Sequence, residues 1–409
     1  MAKTILMVAF DFPPSNAASV QRTLKFFQYL NEFGWTTIML TAKQSAYVHL
    51  DNSPPIKLND NQFIYRAKAF DVMRHLSIRG KHFNWMKTPD RWGTWIPFAL
   101  YKGKKIILQH KPDIIWSTYP IPSAHYIASK LSDYGSIPWV ADYRDPAPYI
   151  HTTNGKFLDG IHKKIDDLTI SKARKVIFAT SATKDKYEEQ YSESEQFSVI
   201  ENGYDEDNFR KAKALEKSHP NIFSDGKFSL YYAGALYQEG RDPIPIFEAL
   251  SQLKAKNEID SSNFELIFQG AGDGTVFEDT LKQLNVDDLV SFIKPTDFLL
   301  AIVNMTRADA LLLIQDERFN LQVPGKIYEY LGSNKPILIK TPEGSSTAQV
   351  ANLYKCCLLF SNQNIYELIL NTSIQQGFNK MEPSHLTGNF SRKDRAKTLN
   401  ELLNSIIQT

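Results

Sequence analysis

Three groups of residues in this chain have the types and spacing for chemistry. VPGKIYEYLGSNKPIL, residues 323–338, sets Lys326 and Glu329 three positions apart. Val323-Pro324 reads as a helix entrance, and Ile327, Tyr330 and Leu331 as its buried stripe. Gly332 and Asn334 supply the stop before Pro336. On that helix alone, Lys326 and Glu329 describe a solvated pair worth about 0.2–0.5 kcal/mol. In YYAGALYQEGRDP, Gly234 and Gly240 would let a ligand approach the backbone closely. Arg241 in the same stretch offers a bidentate fork for phosphate. The third group comes from the first half. DFPPSNAASVQR carries Asn16 and Arg22 in a loop entering a helix, where an anion or a sugar can meet free amides. STYPIPSAH and PWVADYRDP bring His125, Asp142, Arg144 and Asp145 to strand ends. Carboxylates there are either structural ion pairs or groups that accept a hydroxyl proton or orient a sugar hydroxyl.

Those positions are informative only if the elements around them alternate, and they do. ILMVAF, a helix near 18–33, TTIMLT, DIIWST, a helix near 121–134, PWVAD, a helix near 157–174, KVIFAT and FSVIENG run through the first half. A second series runs FSLYYAG, a helix near 242–256, FELIFQG, a helix near 275–284, LVSFI, DALLLI, the helix of residues 323–338, PILIK and CCLLF. Strands alternating with helices imply parallel sheets covered on both faces. The expected class is α/β, two doubly wound Rossmann-like domains facing a central cleft, with ligands at the carboxyl ends of the strands. The expected boundaries are 1–204, a polar connection at 205–227, a second domain at 228–388, and a terminal helix at 389–409.

At 409 residues, two domains are the prior. Hydrophobic content of 43% with 22% charged residues is a globular composition, and the net charge of +2 argues against a nucleic-acid partner. Two cysteines, adjacent as Cys356-Cys357 in an apolar run, read as packing residues of a cytoplasmic protein. No secretory signal and no run of about 20 apolar residues is expected to send the chain into or across a bilayer. Gly270, Gly272 and Gly274 in FQGAGDG resemble part of a dinucleotide fingerprint but sit on the second strand of their series, so they read as a tight turn. Asp205-Glu206-Asp207 matches a metal-holding string of some sugar transferases, yet follows IENGY and reads as a solvated turn. From Arg66 to Lys105, basic residues (Arg74, Arg79, Lys81, Lys87 and others) interleave with Phe70, Phe83, Trp85, Trp92 and Trp95. That segment suits either an anionic membrane surface or ordinary packing beneath a positive loop.

Taken together, FPPSNAASVQR, DIIWSTYPIPSAH, IPWVADYRDP, ENGYDEDNF and VPGKIYEYLGSNKPIL resemble glycosyltransferase family 4, on the GT-B fold. DIIWSTYPIPSAH and IPWVADYRDP are similar to a subgroup common in bacterial polysaccharide clusters. The resemblance implies a retaining sugar transfer from a nucleotide diphosphate donor, with no cofactor and no catalytic metal. It implies that Glu329 holds the ribose diol. Lys326 and Arg241 would meet the diphosphate and stabilise charge on the leaving group. Gly234 and Gly270 would let the donor approach. Asp145 would act as orienting residue or base, with Asn16, Arg22, His125, Asp142 and Arg144 toward the acceptor. The family often carries a second glutamate eight positions before Glu329, where this chain has Leu321, with Glu317, Asn320 and Gln322 nearby.

The expected function is therefore a cytoplasmic glycosyltransferase of cell-envelope or capsular polysaccharide assembly, using a UDP-sugar. Its acceptor is expected to be a saccharide or lipid-linked saccharide, with peripheral membrane contact. The alternatives are a nucleotide-sugar epimerase or hydrolase on the same fold, or a degenerate nucleotide- or saccharide-binding module.

Overall fold

The computed structural model describes the chain except residues 1–2, 52–55, 78–82, 148–149, 151–155, 193, 237–239, 362–365, 367–368, 370–389 and 409. Arg79 and Lys81 of the basic segment fall outside the described residues. The chain divides into two units, one of Met1–Gly203 with Ser391–Thr409, the other of Tyr204–Phe390.

The first unit is built on seven parallel strands: β1 (Thr4–Val8), β2 (Thr36–Ala42), β3 (Gln62–Ala67), β4 (Ile114–Tyr119), β5 (Trp139–Tyr143), β6 (Lys175–Phe178) and β7 (Phe197–Val199). Their order in the sheet is β3-β2-β1-β4-β5-β6-β7, so the direction of winding reverses between β1 and β4. Its helices are α1 (Val20–Glu32), α2 (Val72–His75), α3 (Trp95–His110), α4 (Pro122–Gly135), α5 (Lys156–Lys172) and α6 (Ser181–Tyr191). Both faces of the sheet are covered, which is why β1 and β6 read as continuous apolar runs rather than alternating ones. Leu6, Val8, Leu40 and Ile115 enter one core, while Ile5, Met7, Met39 and Trp116 enter the other.

The second unit has six parallel strands: β8 (Phe228–Ala233), β9 (Phe264–Gln269), β10 (Val290–Ile293), β11 (Ala310–Ile314), β12 (Ile337–Lys340) and β13 (Cys357–Phe360). The order is β10-β9-β8-β11-β12-β13, with its reversal between β8 and β11. The helices are α7 (Glu206–Leu215), α8 (Ile244–Ala255), α9 (Glu278–Gln283), α10 (Phe298–Arg307), α11 (Lys326–Gly332) and α12 (Ser346–Ala351). The last helix, α13 (Arg392–Ile407), returns to the first unit and packs on α1. Ala396, Leu399, Leu403 and Ile406 of α13 join Ile5, Phe27, Leu30 and Trp35 in a shared core. The indole of Trp35 donates to Asn400 Oδ1 at 2.7 Å.

The strands expected from sequence all form, and the structure adds β3, α2, α3, α6, α10 and α12. One expectation needs correction. The 205–227 stretch is not a bare connection, because α7 occupies its first half and packs on α10 within the second unit. Asp205, expected in a solvated turn, is instead the buried N-cap of α7, accepting from the amides of Asp207 at 3.0 Å and Asn208 at 3.3 Å. Asp207 in turn pairs with Lys211 at 2.6 Å, so this acidic string organises a helix start.

Candidate active site

Parallel strands put all their carboxyl ends on one edge, and a ligand finds room where the winding reverses. In the second unit that place lies beyond β8 and β11. Gly234 follows β8 with φ +104°, and Gly270 follows β9 with φ +75°, conformations that side chains resist. The two glycines back one another: a Cβ on Gly270 would lie 3.8 Å from the Gly234 Cα. The amide of Gly234 donates to Gln269 O at 2.8 Å, fixing the turn. Tyr232 Oη and Arg241 Nη1 both donate to the Ala235 carbonyl, at 2.9 and 2.8 Å. Arg241 also lies over the Phe319 ring, 5.6 Å from its centroid.

Into this turn comes Lys326, the first residue of α11. The stripe of Ile327, Tyr330 and Leu331 is buried as the spacing predicts. Tyr330 does more than pack, for its hydroxyl accepts the Ala233 amide at 2.9 Å and anchors α11 to the end of β8. That anchor places the Lys326 ammonium 4.0 Å from the Tyr232 ring centroid. A Cβ added to Gly234 would meet it at 3.4 Å. The Lys326 Nζ is buried and has no hydrogen-bond partner among the described residues. Burial and the nearby charge of Arg241 push its pKa well below the usual lysine value, against the pull of Glu329. Glu329, one turn on, is only 7% exposed. The solvated surface pair that the helix alone describes is thus replaced by two enclosed charges. The signal was invisible in the helix itself, because Tyr232, Gly234 and Arg241 arrive from other elements.

The loop between β11 and α11 is held from beneath. Gln315 Nε2 donates to the carbonyls of Phe319 at 2.8 Å and Gln322 at 3.1 Å, and its Oε1 accepts from Thr347 at 2.8 Å. Ser346 N donates to Asn320 O at 2.9 Å. Asn320 Oδ1 and Ser346 Oγ are buried without a hydrogen-bond partner among the described residues. Leu321 stands in this loop, where a carboxylate was absent from the sequence pattern.

In the first unit the sequence-predicted residues separate into two sets. Arg22 and Asp142 are both buried and form a bidentate pair, Nη2–Oδ1 at 2.6 Å and Nε–Oδ2 at 3.0 Å. Arg22 further donates to the carbonyls of Ile200 at 2.8 Å and Glu201 at 2.9 Å, while Thr118 donates to Asp142 at 2.8 Å. The expected acceptor contacts of Arg22 and Asp142 are therefore corrected. Their polar atoms are engaged in joining α1, β4, β5 and the end of β7. His125 is likewise enclosed, with Nδ1 against Ser117 Oγ at 2.8 Å and its ring 4.8 Å from that of Tyr143. Burial lowers its pKa to about 3, so it is a neutral packing residue and not part of an open site.

Arg144 and Asp145 remain accessible beyond β5, joined at 2.6 and 3.0 Å. Asn16 is exposed on the first loop, its amide donating to His49 O at 3.2 Å. The residue that sequence reasoning passed over is Asp11, just beyond β1. Its carboxylate accepts from Ser19 at 2.8 Å and Ser15 at 3.2 Å. Burial raises its pKa, opposed by those hydroxyls and by the charge of Arg144. Its position after β1, in the strand pair at which winding reverses, was the signal available.

Among the described residues no three His, Cys, Asp or Glu side chains gather in a way that could hold a metal ion, and no helix is long and apolar enough to cross a membrane.

Residues 63–208 match the model of Glycosyltransferase Family 4. No curated protein matches the sequence. Among solved structures, sucrose-phosphate synthase from Thermosynechococcus elongatus is similar over 100% of both chains, at 14% identity and TM-score 0.66. Alr3699/HepE from Anabaena, solved in complex with UDP, aligns over 98% of this chain and 100% of its own, at 13% identity and TM-score 0.63. WaaG, a glycosyltransferase involved in lipopolysaccharide biosynthesis, aligns over 99% of each chain, at 13% identity and TM-score 0.61. At such identities these likenesses are of fold, and the fold is GT-B. The match to the family model adds the class of activity: the chain is a glycosyltransferase of the GT-B type.

Proposed function

We propose that this GT-B glycosyltransferase moves a sugar from a UDP-sugar to a saccharide or lipid-linked saccharide acceptor of cell-envelope polysaccharide, with retention and without a catalytic metal. The observation that carries the donor assignment is the Lys326 ammonium, buried without a hydrogen-bond partner among the described residues, beside Arg241 and beneath Gly234. A buried, unpaired cation costs several kcal/mol unless an anion meets it. A diphosphate supplies that anion, and HepE, of the same fold, was solved with UDP.

In this reading Glu329 accepts the two ribose hydroxyls. The bond between the sugar anomeric carbon and the β-phosphate oxygen breaks, and its electron pair leaves with the nucleoside diphosphate. Lys326 and Arg241 stabilise that growing charge, held in place before the donor arrives. The acceptor oxygen bonds the anomeric carbon on the face the phosphate leaves, and its proton passes to the departing phosphate. Arg144 and Asp11 would orient the acceptor with Asp145. The likeness to WaaG supports an envelope acceptor.

Thermal stability against UDP, GDP, CMP, ADP and NAD, with and without EDTA, tests the donor half. A ligand at about a hundred times its dissociation constant adds ~2.7 kcal/mol. The expected result is a shift with UDP that EDTA does not alter and that Lys326→Ala abolishes. A shift with NAD alone overturns the reading. Turnover of a UDP-sugar in the absence of any acceptor, equal to that in its presence, would replace transfer with hydrolysis or epimerisation.

A further inference from the structure

The segment from Arg66 to Lys111 holds eleven Lys and Arg residues and two carboxylates, Asp71 and Asp90. Neither carboxylate offers free charge to solvent. Asp71 is fully buried, pairs with Arg91 and caps α2. Asp90 accepts from the amides of Trp92 and Ser123, each at 2.9 Å. The charge this segment presents outward is positive.

The same segment exposes apolar surface at helical spacing. On α3, Trp95, Ala99, Gly103, Ile106 and Ile107 face the core. The opposite side carries Phe98, Tyr101 and Leu108, the last two 65% and 68% exposed, with Lys104 and Lys105 among them. The sixteen residues of α3 include no carboxylate. Lys105 Nζ lies 4.5 Å from the Tyr101 ring centroid and Lys104 Nζ 4.9 Å from that of Tyr134. Asp133, the neighbour of Tyr134, is paired with Lys172 at 2.7 Å. Phe70, beside exposed Met73, adjoins this face. Its amide and carbonyl both bond Thr94 Oγ1, at 2.9 and 2.7 Å, and its ring meets that of Phe98 at 6.4 Å. Between the two runs of chain, Phe83 and Trp85 stack on one another while 70% and 64% exposed.

Exposed aromatic rings ringed by lysines, on a helix without a carboxylate, match the boundary of an anionic bilayer. Rings enter the headgroup layer and ammonium groups meet lipid phosphate. We infer that the outer face of α3, with Phe70 and Met73 beside it, docks the first unit on an anionic lipid surface. This rests on the reading of a lipid-linked acceptor and gives it a place on the molecule, since a protein lying on the membrane meets such an acceptor without extracting it. A nucleic acid would be drawn by the charge alone, and the bare rings and leucine favour lipid.

Flotation of the full chain with vesicles decides the matter. The expected result is binding to phosphatidylcholine containing about a third phosphatidylglycerol, and little to phosphatidylcholine alone. Tyr101→Ser with Leu108→Ser removes apolar insertion, and Lys104→Glu with Lys105→Glu reverses the charge. Each pair should weaken binding about tenfold or more, while the UDP-induced thermal shift stays that of the parent protein. Failure of the parent protein to bind either vesicle overturns the proposal, as does equal binding by the parent and both variants. Loss of the UDP shift in the parent protein instead strikes the donor reading and leaves the docking result standing.

Discussion

Each sheet holds a buried cation near its carboxyl edge, and the two cations are treated oppositely. Arg22 of the first unit meets a bidentate carboxylate and two backbone carbonyls. Lys326 of the second unit has no hydrogen-bond partner among the described residues; it meets an aromatic face, a glycine and another cation, with Glu329 one turn on as the negative charge in reach. A buried charge with its partners supplied holds a fold together. One left without them is stable only because the surrounding packing holds it, and it is relieved when a ligand of opposite sign arrives. Charge type and strand-end position alone put both residues in a site. The inventory of partners distinguishes them.

Four experiments can break or sharpen that contrast. Arg22→Ala should have the largest effect, losing about 3–5 kcal/mol of the first unit's stability because Asp142 is left buried without its partner. Urea denaturation measures it, and a loss under about 1 kcal/mol would mean the pair is dispensable. Lys326→Met should behave in reverse. Turnover should fall by roughly 10²–10³-fold, while the melting temperature without ligand stays level or rises, since a desolvated cation has been removed. A large drop in melting temperature would show that Lys326 is as structural as Arg22.

Gly234→Ala should cost about 1–3 kcal/mol, because φ +104° is strained for a side chain. It should also raise the KM for donor, since the new methyl would stand 3.4 Å from the Lys326 Nζ, in space the donor needs. Unaltered KM and stability would remove Gly234 from the site. The smallest effect is in pH. With its pKa lowered in the free protein, Lys326 is protonated below that value and neutral above it, and the diphosphate binds the protonated form. Below the free-protein pKa no proton is exchanged. Between it and the higher value in the complex, binding takes up a proton and affinity falls as pH rises, by at most about tenfold per pH unit. Calorimetry in buffers of different ionisation enthalpy reads the uptake, and heats that do not depend on the buffer at any pH would show that Lys326 enters already charged. Arg241→Ala, by removing the like charge, should shrink the uptake.

How far the sequence carried the fold depended on apolar period. Strands such as β1 and β11, buried on both faces, are nearly unbroken apolar runs and were legible. So was the stripe of α11. α7 was missed because few apolar residues anchor it, among them Phe209 and Ala212, in an otherwise charged segment. Phe209 fits there because Gly332 has no side chain, a fact on the other side of the second unit's sequence. α10, FLLAIVNMTR, was hidden for the opposite reason, being apolar almost all round its first two turns. In the site, Arg241, Lys326 and Glu329 were legible as chemical types, and their enclosure was not. The roles of Arg22, Asp142 and His125 were misjudged for one physical reason. Residues 120 positions apart close on each other in space, and sequence shows a charge without showing what has already met it.

The placing of α13 has a consequence for how the molecule is made. Its buried face completes a core that begins with Ile5 and Met7, yet it is translated after the whole of the second unit. As the ribosome works toward α13, the groove of Phe27, Leu30 and Trp35 waits uncovered while the intervening unit is synthesised. The second unit lies uninterrupted in the chain and can finish first. The first to be started is the last to be finished, and until then its open flank is the surface a nascent-chain chaperone would meet.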